Sequence, residues 1–332
     1  MHHHTHSAPD TWIGIDVSQL TLDACFLPPQ GKPDFHVFDN DPAGHAALLD
    51  WASSFGLTLG FCLESTGAYG EAIAQALHDA GHHVSVVNPA RVKYAGLMRG
   101  QGNKTDRADA KLIAEYATRE QPAAWQPAPA EVRELQALVR RRDDLRALAA
   151  REKTRLAAPA LSRATTQSIR RTIAFFEREA DRLQRQADEL IAATATLQTN
   201  RELLETIPGV GAVTAQAILA ELPETSRFET AQQAAAYAGL APREFRSGAS
   251  VRRRTRLSKA GNARLRKALY LPTLTAIRFN PLLKAFFERL VAAGKPRMAA
   301  VGACMRKLLM IAYGVLKNRT AFDPTWGLKQ PS

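Results

Sequence analysis

The alternation of apolar and polar positions sets out the first third of the chain. Trp12, Ile13, Ile15 and Val17 favour a strand, Val17-Ser18-Gln19-Leu20 suits a turn, and a second apolar stretch runs on to Leu27. Phe35 to Phe38 predicts a third strand, and Ala43 to Phe55 has the spacing of a helix. Residues 57–63, LTLGFCL, read as a short buried strand ending at Glu64. Ala68 to Ala80 then predicts a helix stopped by Gly81, and His83 to Val87 a strand ended by Asn88-Pro89. The order β-β-β-α-β-α-β predicts a mixed α/β sheet spanning about 115 residues.

The pattern then changes. Residues 121–130, QPAAWQPAPA, carry three prolines and read as a linker. Leu135, Leu138, Leu145 and Leu148, then Ile169, Ile173, Phe176, Leu183 and Leu190, recur at helical spacing. They predict two long helices broken around Pro159, which fit an antiparallel hairpin and an oligomerising coiled coil equally. A compact helical part follows, with helices through Leu316 and a loose tail. The expected organisation is a disordered start (1–10), an α/β domain (11–120), the linker (121–130), a helical stalk (131–200), a C-terminal domain (201–318) and the tail (319–332).

With 332 residues, 45% hydrophobic and 23% charged, the chain can bury a core and fits about two domains. No apolar run reaches the roughly 18 residues of a membrane span, and the start lacks the basic and apolar regions of a signal peptide. Three scattered cysteines, Cys25, Cys62 and Cys304, argue against a disulfide framework or a cysteine-based zinc site. A reducing cytoplasm is the simplest setting. Net charge is +12 and unevenly spread: residues 1–118 hold 7 Lys+Arg against 13 Asp+Glu, residues 119–332 hold 37 against 19. An acidic front joined to a strongly basic back predicts polyanion binding by the second part.

Four acids stand out in the front part. Asp16 lies among strand-forming apolar residues, where an unpaired carboxylate is costly to bury. Glu64 ends a strand. Asp106 and Asp109 fall at a helix start that Thr105 or Asp106 can cap, three residues apart and so on one face. Read separately, the last three also suit ordinary surface or helix-start acids. Together they can converge and hold Mg²⁺, which prefers oxygen ligands. Two such ions about 4 Å apart clamp the attacking and leaving oxygens of a phosphodiester exchange. Asp23, Asp39 and Asp41 read as solvated. Arg91, Lys93, Arg99 and Lys104 form a basic edge beside the acids, and Tyr69 and Tyr94 suit either base stacking or packing.

The second half offers three features. Residues 203–222, LLETIPGVGAVTAQAILAEL, have a helix–hairpin–helix form, with Gly209 and Gly211 placed for phosphate contact or close helix packing. From Ala241 to Tyr270 there are ten Lys+Arg against one Glu, a density suited to phosphates. Arg243, Arg246, Arg252, Arg253, Arg254, Arg256, Lys259 and Arg264 are the candidate contacts. Within this run Ser247, beside Arg246 and Gly248, is either a turn residue or a nucleophile activated by neighbouring positive charge. The cluster from His2 to His6 matches no motif.

The element order and the four acids resemble an RNase H/RuvC-like nuclease domain. The strings GIDVS, LESTGAY, NPARVKYA and NKTDRADA go further. They resemble the DEDD transposases of bacterial insertion sequences, the IS-one-ten group, whose members are described as bridge-RNA-guided recombinases. YAGLAPREFRSG and LSKAGNARLRKALY match the C-terminal domain of that group, and the resemblance spans about residues 11–315. It implies an α/β RNase H/RuvC-like domain followed by a mainly α-helical second half. It also implies that Asp16, Glu64, Asp106 and Asp109 bind metal, and that Ser247, with Ser258 as fallback, links covalently to DNA. The implied partners are donor and target DNA, a structured noncoding RNA and further copies of the chain in a homo-dimer or homo-tetramer, with no membrane. In such an assembly the serine and acids of one active site come from different protomers. Two other readings stay open: a RuvC-like structure-selective endonuclease using only the acids, and a non-catalytic nucleic-acid-binding relic.

Overall fold

Strand β1 (Thr11–Val17) is the centre of a five-stranded sheet. Its apolar, partly β-branched residues suit a pleated surface covered on both faces. It pairs antiparallel with β2 (Thr21–Phe26), which pairs antiparallel with β3 (Asp34–Asp39). Helix α1 (Pro42–Ser53) leads to β4 (Leu59–Glu64), and α2 (Glu71–Asp79) to β5 (His83–Val87). Both later strands run parallel to β1, giving the order β3-β2-β1-β4-β5. Helices α3 (Pro89–Met98) and α4 (Asp106–Glu120) complete this unit. The computed structural model describes residues 9–65, 67–98, 105–247 and 251–325, and the chain divides into two units between Pro127 and Ala128.

Alternation along the strands separates two faces of the sheet. Ile13, Ile15, Phe61 and Leu63 pack with Leu48 of α1 and with Ile73 and Leu77 of α2. The other face receives α4. There Cys25, Gly14 and Cys62 lie side by side across β2, β1 and β4, and Ala110 and Ala114 of α4 pack on Cys25. Gly14 is required by this approach: a Cβ there would fall 2.3 Å from both Ala110 O and Ala114 N.

Both ends of this unit are more ordered than the sequence suggests. Asp10, assigned to a disordered start, exchanges hydrogen bonds with Thr58: its N–H donates to Thr58 O (2.8 Å) and its carboxylate accepts from Thr58 N (3.0 Å). The expected linker begins as part of the fold. Ser85 donates to Pro122 O and Ala123 O, and Trp125 donates its N–H to Val84 O while its ring packs on the sheet core. The prolines that suggested a linker here cap the edge of β5.

The second unit begins with α5 (Ala130–Leu156) and α6 (Arg163–Ala193). Arg146 meets Asp181 and Lys153 meets Glu177. Partners that fall in sequence as their mates rise define an antiparallel hairpin within one chain. Its centre is polar: Arg142, 1% exposed, donates to Asp143, Gln184 and Gln216. Each donor so satisfied limits the cost of burying the charge. The chain continues through α7 (Ala195–Glu205), α8 (Ala212–Glu221) and α9 (Ala231–Tyr237), and after the segment described next through α10 (Ala263–Ala268), α11 (Tyr270–Phe279), α12 (Pro281–Ala292) and α13 (Arg297–Asn318).

Between α9 and α10 the mainly helical second half carries a hairpin that its sequence does not announce. Pro242–Ser247 and Val251–Leu257 form antiparallel strands β6 and β7. Arginine-rich strands lack the apolar alternation that announces a hairpin. This one is secured at its base by main-chain bonds: Ser258 N–H to Ala241 O, Lys259 N–H to Gly239 O, and Asn262 N–H to Tyr237 O. The tail also docks at its start, where Phe322 packs on the core and donates its N–H to Thr206 Oγ1. Helix α13, at 22 residues with an 18-residue window of mean hydropathy 1.5, has the length and composition of a membrane-crossing helix, while Arg306 and Lys307 divide it into uncharged runs shorter than a span. Its Cys304, Leu308, Leu309 and Ala312 are buried in this unit's core.

Candidate functional site: an acidic sheet end and a basic hairpin

The faces of the sheet fix where the acids go. Asp16 lies two residues beyond Gly14, and Glu64 two beyond Cys62, so both share the face covered by α4. They adjoin, one step past the Ile15–Leu63 pair. Helix α4 brings the other two. Thr105 caps it, its hydroxyl accepting Ala108 N–H, and Asp106 and Asp109 occupy the first turn. The Arg107 guanidinium sits 4.0 Å from the Phe35 ring centre, which ties this turn to β3. The close seat at Gly14 sets the height of α4 above the strands.

Electrostatics reports the convergence. Burial and then the charges of Asp109, Asp106 and Asp23 push the Asp16 carboxyl up to about 6. Asp23 is thus a member of this group. It was expected to be solvated, yet it lies directly opposite Asp16 in the β1–β2 ladder, and burial followed by the Asp106 charge raises its own proton affinity. Its signal in the sequence is its place in β2, where strict alternation puts it on the same face as Cys25.

The donor set is made of carboxylate oxygens that repel one another, which fits a hard divalent cation. Among the described residues no three of them are gathered tightly enough to hold an ion as they stand. The rim of the site is tied by Asn40, whose amide donates to Ser18 O and Tyr69 O. Arg91, Lys93 and Tyr94 are exposed on α3. Arg99 and Lys104 lie outside the described residues, as does the His2–His6 cluster.

In the second unit Ser247 ends β6 and pairs with Val251 across the top of the hairpin. Gly248 and Ser250 lie outside the described residues. Arg243 and Arg256 face each other in the ladder, as do Arg246 and Arg252, and Phe245 pairs with Arg253, with a register shift between Arg243 and Phe245. Arg254 lies on β7, and Lys259 is exposed just beyond it. Arg264, on α10, donates to Asp144 of α5 at 3.1 Å. Ser258 is occupied locally, its hydroxyl accepting Ala260 N–H at 3.1 Å, the ordinary role of a serine in a turn.

The base of the hairpin is anchored by a buried acid that the sequence did not flag. Glu221, 3% exposed, accepts two bonds from Arg140 (2.7 and 3.0 Å) and one from Asn262 Nδ2 (2.8 Å). Asn262 in turn caps α10. A short turn, 206–211, joins α7 to α8 where a helix–hairpin–helix was expected. Gly209, at φ +102°, faces α11, where a Cβ would lie 2.6 Å from the Ala276 Cβ. Close helix packing therefore accounts for that glycine. Gly211 precedes α8 and is exposed.

Comparison with known proteins follows the same division. Residues 13–164 match a DEDD transposase model of the IS110 type, and residues 201–288 match the IS116/IS110/IS902 transposase model. The pilin gene-inverting protein of Moraxella lacunata is 33% identical over 317 residues, covering 94% of this chain and 98% of that protein. The Moraxella bovis protein of the same name matches to the same extent. An insertion element IS110 protein of Streptomyces coelicolor is 29% identical over 121 residues, 36% of this chain and 30% of that protein. Among solved structures, Thermus thermophilus RuvC is 21% identical, with a TM-score of 0.27 over 34% of this chain and 98% of that one. Identity sustained along nearly the whole of both Moraxella relatives, together with the two transposase models matched along this chain, places the chain in the IS116/IS110/IS902 transposase family.

Proposed function

We propose that this transposase cuts and rejoins DNA through a covalent serine intermediate. The carrying observation is the placement at one sheet end of Asp16 on β1, Glu64 on the adjoining β4, and Asp106 and Asp109 in the first turn of α4, which is seated on Gly14. Asp16, Glu64, Asp106 and Asp109 would hold Mg²⁺, two ions per site. Bound there, the ions supply charge stabilisation for phosphoryl transfer. The Ser247 hydroxyl attacks a DNA phosphorus. An Oγ–P bond forms, the P–O bond to one sugar breaks, the serine proton is released and the leaving sugar oxygen is protonated. Attack by a sugar hydroxyl of the exchanged strand reverses these steps and frees the serine, so no external energy source is needed. The proteins from Moraxella are named for inverting a gene, and inversion requires rejoining rather than hydrolysis.

In this reading the basic hairpin residues, together with Arg91, Lys93, Arg99 and Lys104, hold nucleic-acid phosphates, and the exposed Gly211 at the start of α8 adds a further contact. A structured noncoding RNA guides target choice, a homo-dimer or homo-tetramer joins the acids of one protomer to Ser247 of another, and the enzyme works in the cytoplasm on nucleoid DNA. The test begins by expressing the protein with its native flanking DNA and sequencing RNA that survives high-salt purification. One defined RNA from the flank is expected and supplies the target sequences. Heterogeneous RNA, or none, would overturn the guided reading and direct attention to Mg²⁺-dependent cleavage of branched DNA by the acids alone.

A further inference from the structure

Helix α6 carries charge in an uneven way. Its acids are largely occupied: Glu177 by Lys153 (2.7 Å), Glu179 by Arg182 (3.0 Å), Asp181 by Arg146 (3.9 Å) and Asp188 by Arg201 (2.9 Å), leaving Glu189. Its arginines are not. Arg163, Arg170, Arg171, Arg178 and Arg185 are exposed, and none has an ion-pair partner among the described residues. A solvated helix face ordinarily matches its charges in pairs three or four residues apart. Here the acids are matched and the cations are left over.

Position makes this a surface. Arg163, Arg171, Arg178 and Arg185 follow one another at intervals of eight, seven and seven residues. At about 1.5 Å per residue and 3.6 residues per turn, they form a row about 33 Å long, in steps of about 10–12 Å, on one side of the helix. The opposite side is the one buried against α5 and its neighbours through Ile173, Ala180, Ala187 and Ile191. The row is straight, rigid and exposed. Guanidinium groups so spaced suit a rod-shaped polyanion.

We propose that the outward face of α6 docks the phosphate backbone of a DNA duplex, a contact separate from the basic hairpin. Backbone contacts position a protein without reading sequence, and a rigid arm about 33 Å long spans roughly one turn of B-form DNA.

The test compares the full-length wild type with a variant carrying Arg163→Gln, Arg171→Gln, Arg178→Gln and Arg185→Gln, and with the corresponding four Arg→Lys changes. Fluorescence anisotropy with a defined 30-base-pair DNA duplex and its RNA counterpart is recorded across a salt series. Each phosphate that the protein no longer neutralises takes about 0.9 from the slope of log K against log salt for B-DNA. The Gln variant is expected to lose about 3.6 in slope and about tenfold or more in affinity, while the Lys variant keeps both. Weaker binding of the DNA duplex by the Gln variant supports the proposal, and weaker binding of the RNA duplex alone would overturn it and assign the face to RNA. Unchanged slopes, with circular dichroism and Tm as in the wild type, would overturn the proposal. So would equal weakening in the Lys variant, or a changed assembly mass by light scattering with both slopes intact, which would assign the face to a protein contact.

Discussion

Asp16 and Asp23 stand directly opposite one another on the antiparallel strands β1 and β2, two carboxylates where a sheet ordinarily sets opposite charges or none. The first turn of α4 adds Asp106 and Asp109 to the same neighbourhood. The sheet end therefore stores repulsion that protonation or a bound cation relieves.

The metal-free protein should reveal that repulsion through pH. The Asp16 carboxyl rises from an ordinary 3.8 to about 6, chiefly by burial and then by its acidic neighbours. Folding thus favours the protonated form. Its stabilisation is complete below about pH 4 and is lost as pH climbs through about 6. With EDTA present, calorimetric Tm between pH 5 and 8 should fall more for the wild type than for Asp16→Asn, and Asp23→Asn should lie between them. Parallel curves for all three would refute the assignment.

Gly14→Ala tests the seat of α4. The added methyl would meet backbone atoms of Ala110 and Ala114, which cannot swing aside as a side chain can. Overpacking of this kind costs about 1–3 kcal/mol, readable from urea unfolding. Because the same contact sets the height of Asp106 and Asp109 over Asp16, Mg²⁺-dependent strand cleavage should fall further than in a variant matched for stability elsewhere in the unit.

Glu221→Ala should loosen the base of the hairpin. It removes a partner of both Arg140 and Asn262. Breaking a fully buried pair costs roughly 3–5 kcal/mol; Arg140 is 36% exposed, so a loss of about 2–3 kcal/mol is expected. Glu221→Gln, which keeps one acceptor, should lose about half as much. Denaturant titration distinguishes these outcomes from an unchanged midpoint.

The two serines separate cleanly. Ser247→Ala should abolish the SDS-resistant protein–DNA adduct while leaving DNA binding within about twofold, as expected for loss of a nucleophile. Ser258→Ala should retain the adduct, because that hydroxyl is engaged by Ala260 N–H. An adduct formed equally well by the Ser247 variant would exclude it as the attachment point.

The strands and helices of the first unit were legible because their apolar periods are clean, and four of the five clustered acids stood out as costly or oddly placed. Asp23 did not, since a polar residue alternating along Thr21–Phe26 looks like any outward-facing strand position until the register with Asp16 is known. The hairpin at 242–257 escaped for a different reason. Its arginines carry no apolar period, and its strands are fixed by main-chain bonds to the turn after α9, which leave no mark on composition. Helical period alone also left the stalk undecided between hairpin and intermolecular coil. The ion pairs between α5 and α6 settle that within one chain.

The small residues beneath α4 carry a consequence of another kind. Cys25 and Cys62 are fully buried, and desolvation pushes both thiols up to about 12. At neutral pH they are shielded and protonated, so they cannot react while the helix lies on the sheet. Each becomes reactive only when α4 lifts away. The rate at which a thiol reagent labels them is therefore a built-in clock for the opening of the acidic face, readable without any substrate.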